Sequence, residues 1–317
     1  MFISKKKVVA LAASVAVLAI TATSFTPAQA APKNQARAVV QADWLEKNLD
    51  DPKVVVVEVS TEPGIYERGH IRNSVKIAWH TDLVDTVNRD VVSAANFQKF
   101  AQAAGISQDT TVVLYGDKNN WFAAWGAWVF DVYGVDNVKL LDGGRVKWEA
   151  EKRALDNRAK TPVAGNVTVK AANKDLRAFL PDVLAAAEKR SDVQLVDIRS
   201  ADEYNGKVFA PQGVQELAVR AGHVPGAVNV PWGQAVAADG TFKSVAELKK
   251  VYGAVGIDGS KPIITYCRIG ERSSHTWFAL KKILGYDVRN YDGSWTEYGN
   301  AVGVPVVNVA GTVWGGK

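Results

Sequence analysis

Short apolar, β-branched runs alternate along the second half of the chain with stretches of helical periodicity. The pattern predicts a helix over residues 180–189 leading to a strand over 193–198, then a helix over 245–251 and a strand over 262–266. A helix over 273–284 and a strand over 288–291 complete the series. Continuously apolar strands separated by helices imply a mainly parallel sheet covered on both faces, and hence an α/β fold. The first half repeats the order with strands over 54–59, 111–115 and 138–141. Between the halves, residues 156–173 are polar and carry Pro162 and Gly165, the composition of a linker. The expected organisation is an N-terminal domain over 37–155, a linker over 156–176 and a C-terminal domain over 177–308.

The halves read as copies of one another. Gly69-His70-Ile71 recurs as Gly222-His223-Val224 at an offset of 153, Gly105-Ile106 as Gly256-Ile257 at 151, and Asp142-Gly143-Gly144 as Asp292-Gly293-Ser294 at 150. Nearly constant offsets over so long a stretch indicate duplication. The earlier pair, Glu58-Val59-Ser60 and Asp197-Ile198-Arg199, is offset by only 139, so the second copy has gained about fourteen residues within 206–220.

Lys5-Lys6-Lys7, an apolar run over 8–20 and Ala28-Gln29-Ala30 have the order of a secretory signal, with cleavage expected after Ala30. The run is short for a membrane span, and a secreted or periplasm-like location without stable membrane insertion is expected. Its loss would remove three lysines and no acids, lowering the formal charge from +5 to +2. Charge therefore gives no support to a nucleic-acid partner. With 47% hydrophobic residues, the chain has apolar content enough for two domain cores.

The one cysteine of the 317 residues, Cys267, directly follows the strand expected over 262–266. An exported lone thiol is either reactive or an apolar filler. Chemistry in open parallel sheets gathers at the carboxyl ends of strands, where Cys267 stands. The sequence Cys267-Arg268-Ile269-Gly270-Glu271-Arg272-Ser273-Ser274 forms a short loop before a helix that Ser273 or Ser274 is placed to cap. Converging N–H groups, the helix dipole, Arg268 and Arg272 are all expected to lower the thiol pKa and attract an anion. Gly270 frees the turn, and Glu271 is expected either to pair with an arginine or to face solvent.

These residues, together with Gly222-His223-Val224-Pro225-Gly226-Ala227 and Tyr291-Asp292-Gly293-Ser294-Trp295, resemble the tandem-domain rhodanese family of thiosulfate sulfurtransferases over essentially all of the chain after residue 30. The loop is most similar to the actinobacterial branch. The resemblance implies two tandem domains of one fold, with Cys267 as a nucleophile that takes the outer sulfur of thiosulfate as a persulfide and passes it to a small thiophilic acceptor such as cyanide or a thiol. It also implies a cradle of backbone N–H groups over 268–272 and a substrate-binding Arg199 beside an orienting Asp197. Four histidines and one cysteine form no cluster at zinc spacing and no cofactor motif appears, so neither a metal nor a cofactor is expected. Ile269 stands where thiosulfate-specific members often carry lysine, which keeps 3-mercaptopyruvate sulfurtransfer as an alternative that Arg268 and Arg272 argue against; non-turnover sulfur carriage, which the same loop would serve, is a further alternative. A cysteine phosphatase is disfavoured because Arg272 gives Cys-x4-Arg rather than Cys-x5-Arg. A monomer is expected.

The first copy has Asp117 where the second has Cys267, and Ser60 where the second has Arg199. It is expected to be catalytically silent and either to wall the cleft or to serve stability alone. His70 and His223 read as turn anchors, and His275 as either near the site or on a helix face. Trp121, Trp125 and Trp128 read as core or interface packing, and Trp295 as a cleft border or core residue.

Overall fold

The computed structural model describes residue 1, residues 31–215 and residues 217–315; the signal-like segment over 2–30 lies outside the described residues. The described residues from 31 onward form one compact unit. In chain order the strands of the first half are β1 (Val39–Val40), β2 (Val54–Ser60), β3 (Val75–Ala78), β4 (Val84–Asp85), β5 (Asp90–Val91), β6 (Thr111–Tyr115) and β7 (Val138–Leu141). Those of the second are β8 (Arg177–Ala178), β9 (Gln194–Asp197), β10 (Val228–Asn229), β11 (Ile263–Tyr266) and β12 (Val288–Tyr291).

Two five-stranded parallel sheets result, ordered β1-β7-β6-β2-β3 and β10-β9-β11-β12-β8. Read from corresponding ends the orders are identical, so the duplication seen in the offsets is a duplication of topology. The central strands are buried along most of their length because helices cover both faces, as their unbroken apolar runs require. Helices start where the sequence supplies caps. Ser200 and Ser244 each accept from the backbone N–H three residues on, while Glu203 and Glu247 reach back to the capping residue.

Separate apolar clusters lie on the outer side of each sheet, one around Leu45, Val113 and Trp148 and one around Ile264, Tyr266 and Trp295. A third, larger cluster runs through both halves and holds Trp125, Trp128, Phe242, Trp277 and Phe278. Here the helix Trp121–Val132 of the first half packs on the helix Glu271–Trp277 of the second. The segment over 156–173, read as a linker, is stitched to the first half. The amides of Gly165, Val167, Lys170 and Asn173 donate to the carbonyls of Gln102, Ile106, Tyr133 and Val132. A Cβ at Gly165 would stand 2.0 Å from the Ile106 carbonyl oxygen, so only glycine permits that approach.

An antiparallel hairpin, β4–β5, leaves the first half and settles on the Asp292-Gly293 turn of the second. The reciprocal contact is made by the Val236–Phe242 bridge of the second half, whose Phe242 amide donates to Asp142 at 2.9 Å.

Candidate functional site

Strand β11 ends at Tyr266 and delivers Cys267 to the carboxyl edge of its sheet, fully buried. The backbone then turns through Gly270, which has φ +96° and serves as the N-cap of the helix Glu271–Trp277. A Cβ on residue 270 would stand 2.4 Å from Asp292 Oδ1, so glycine is required both by the left-handed conformation and by the close approach. The expected serine cap is thereby corrected. Ser273 and Ser274 lie inside the first helical turn, and the Ser274 hydroxyl donates back to the Gly270 carbonyl at 2.7 Å.

Of the expected cradle over 268–272, the Gly270 amide donates to Cys267 Sγ at 3.2 Å, and the thiol in turn donates to Glu271 Oε2 at 3.4 Å. Glu271 is buried rather than at the surface, and of its two expected places it takes the first, an ion pair with Arg272 from Nε to Oε1 at 3.8 Å. Burial, with this carboxylate second, reverses the expected depression of the thiol pKa. Burial pushes Cys267 above the ordinary thiol range and the Glu271 carboxylate adds to the rise, against the opposing pull of Arg272 and of the Ser273 amide and hydroxyl.

Arg272 is buried and forked onto Glu203, with both Nη–Oε contacts at 3.1 Å. Arg268 is half-buried, and its Nη1 donates at 3.2 Å to the Gln215 carbonyl, in the stretch that distinguishes the second copy. Ile269, also half-buried, offers its carbonyl to the first half of the molecule.

Arg199 is not brought onto the cradle. Its Nε and Nη2 hold Asp197 at 3.0 and 2.6 Å, Nη2 also donates to the Gly222 carbonyl at 2.7 Å, and the guanidinium lies 4.5 Å from the Trp295 ring centroid. The first copy builds the same pillar from a different position. Arg145 holds Glu58 at 3.0 Å and donates to the Gly69 carbonyl at 2.6 Å. The contact is thus present also in the copy without a thiol, and Trp295 is buried in the core.

The sequence reading missed Ser294, Glu203 and Asp292. The Ser294 hydroxyl accepts from the Cys267 amide at 3.0 Å and donates to the Tyr291 carbonyl at 2.7 Å. Its φ of +51° is the conformation that Gly144 adopts at +59° in the first copy. A serine held where the duplicate has glycine was a legible mark of a working side chain. In the first copy Asp117 fills the thiol's place with a carboxylate that accepts from the Thr61 and Glu62 amides at 3.1 and 2.9 Å. Residues 118–120, all of positive φ, run on into the next helix.

His70 and His223 are turn anchors. Each stacks on a tyrosine, Tyr66 or Tyr204, and binds that residue's carbonyl through Nδ1 at 2.9 or 2.7 Å. His275 is buried between Trp232 and Phe242 at the junction of the halves. Burial holds its imidazole down at about 3 from an ordinary 6.5. Because the unfolded chain takes up the proton first, stability should be unaffected above pH 6.5 and should fall by about 1.4 kcal/mol per unit below it, until pH nears 3. Urea midpoints at neutral and mildly acidic pH check this: His275→Phe should flatten the slope, and equal slopes in the two chains would disprove it.

Among the described residues no helix is long and apolar enough to cross a membrane, and no group of three or more His, Cys, Asp or Glu is placed to hold a metal ion. The model of the rhodanese-like domain matches twice, over residues 41–151 and 180–301. A Mycobacterium tuberculosis protein provisionally named a thiosulfate sulfurtransferase is 51% identical over 84% of this chain and 96% of its own. The sulfur carrier protein TtuD of Thermus thermophilus is 49% identical over 84% of this chain and 95% of its own. The crystal structure of SseA from Escherichia coli, described as a 3-mercaptopyruvate sulfotransferase, superposes with a TM-score of 0.68 at 29% identity, covering 81% of this chain and 98% of that one. Two matched domains of one topology, only one of them with a thiol at the strand end, and relatives matched along nearly their whole length agree: the chain belongs to the rhodanese family, as a tandem pair of rhodanese-like domains in a line of sulfurtransferases.

Proposed function

We propose that this chain is a thiosulfate sulfurtransferase working through a persulfide on Cys267. The observation that carries the reading is the Gly270 amide aimed at the sulfur of the one cysteine, at the carboxyl end of a parallel strand. In the first half-reaction the thiolate attacks the outer sulfur of thiosulfate, the S–S bond breaks, and sulfite leaves with the bonding pair. In the second, cyanide or a thiol attacks the outer sulfur of the persulfide and returns the thiolate. The N–H that meets the thiol is placed to meet the added charge, much as an oxyanion donor does. Arg268, half-buried in the loop, supplies positive charge for a sulfonate-like group, while Arg272 is held by Glu203. In this reading the signal-like residues 1–30 direct the activity outside the cytoplasmic membrane.

The test is thiocyanate production from thiosulfate and cyanide. Parallel double-reciprocal plots are expected, with a single added sulfur atom on the protein after thiosulfate alone. The similarity to TtuD favours one second reading, sulfur carriage without rapid turnover. A persulfide that forms yet yields no thiocyanate at a useful rate would decide for it. Faster turnover with 3-mercaptopyruvate than with thiosulfate would move the substrate assignment instead.

A further inference from the structure

We infer that Arg89, a residue of the thiol-free domain, is a positioning residue for the nucleophile, acting through the peptide between Ile269 and Gly270. The inference rests on the reading of Cys267 as the reacting atom. Arg89 Nη2 donates to the Ile269 carbonyl at 2.9 Å, and Nη1 to Asp292 Oδ2 at 2.7 Å. The Ile269 carbonyl and the Gly270 N–H belong to one planar peptide unit and point to opposite sides of it. The N–H side is the one that touches Cys267 Sγ at 3.2 Å. A guanidinium on the oxygen thus fixes which way the N–H faces. It also polarises the peptide, strengthening the donor that meets a thiolate or persulfide.

The fixing matters because residue 270 is glycine. At φ +96° it sits in a region glycine occupies freely, and without a Cβ it tolerates either sign of φ. A flip of the 269–270 peptide would turn the N–H away from the sulfur at little steric cost. Two contacts from the first domain oppose it. Arg89 holds the carbonyl, and Trp125 Nε1 holds Asp292 Oδ1, the atom against Gly270, at 2.6 Å.

The hairpin that presents Arg89 is itself ordered. Asp85 accepts from the Val87 and Asn88 amides at 2.9 and 3.0 Å, the Arg89 amide closes onto the Asp85 carbonyl at 2.9 Å, and Asp90 pairs with Arg177. The reciprocal hairpin supplies an internal control. On the thiol-free side, among the described residues, it brings the Phe242 amide to Asp142 and pairs its Asp239 with Lys147. A guanidinium on the loop carbonyl occurs where the thiol is.

Arg89→Ala and Arg89→Lys in the full chain test the relay. The side chain is 45% exposed, so neither change should alter the melting temperature appreciably. The ultraviolet absorbance of the Cys267 thiolate, taken as a difference against Cys267→Ser, gives the ionisation midpoint without any substrate. The charged groups around that thiol are Glu271, Arg272 with its partner Glu203, and Asp292 over Gly270. Arg89→Ala leaves Glu271, Arg272 and Glu203 in place but unpairs Asp292, so the same substitution is also made in Asp292→Asn, where only the loss of the contact to the Ile269 carbonyl can move the midpoint. Arg89→Ala should raise the midpoint by about one pH unit and slow single-turnover persulfide formation about tenfold, chiefly in kcat rather than KM, with partial recovery in Arg89→Lys. An unmoved midpoint for Arg89→Ala in either background overturns the inference, whether or not stability falls. If the midpoint moves but wild-type protein takes no sulfur from thiosulfate, the relay stands and the proposed function falls.

Discussion

Cys267→Ser should abolish sulfur transfer, by at least about a thousandfold, while the protein folds as before. A serine hydroxyl ionises far above neutral pH and cannot form a persulfide, so neither half-reaction has a covalent carrier. No other cysteine exists in the chain to take over the role. The fold should survive because the smaller hydroxyl can still accept from the Gly270 amide and donate to Glu271, the two polar contacts the thiol makes. Stability should change by about 1 kcal/mol, within the range of a small buried replacement. Intact mass after exposure to thiosulfate, with steady-state thiocyanate production beside it, reads both consequences. Sustained turnover by Cys267→Ser would refute the persulfide route.

The features of this site that were legible in sequence are those that depend on spacing along the chain. Cys267 after an apolar run, glycine three residues on, and the offsets between copies are local or periodic signals, and they placed the thiol, its strand and its thiol-free counterpart at Asp117. Edge strands such as β1, β8 and β10 were invisible because two residues carry no periodicity. The thiol's electrostatics were misread for a different reason. Counting arginines near Cys267 ignores where the chain turns them: Arg272 is spent on Glu203, some seventy positions away in sequence, whereas Glu271 faces the sulfur. Arg89 is farther still from the loop along the chain, and only the reciprocal seating of the two hairpins brings it to Ile269.

Arg199→Ala should destabilise the second domain by about 3–5 kcal/mol. Asp197 is completely buried, and removing its forked partner leaves an unpaired charge, an unmet Gly222 carbonyl and an uncovered Trp295 face. Arg145→Ala should cost a similar amount in the first domain, where Arg145 holds Glu58 and the Gly69 carbonyl in the corresponding place. Replacing each whole pair with apolar residues of similar volume should recover much of the loss, because no charge is then left stranded. Chemical denaturation midpoints of the four chains measure this, and the two domains report on each other as built-in duplicates. The family resemblance makes the opposite forecast for Arg199, a chain that folds normally but binds thiosulfate poorly. An Arg199→Ala protein with an unchanged midpoint and a strongly raised KM would return Arg199 to the substrate. A fallen midpoint matched by Arg145→Ala would establish it as the pillar on which the Cys267 loop is built.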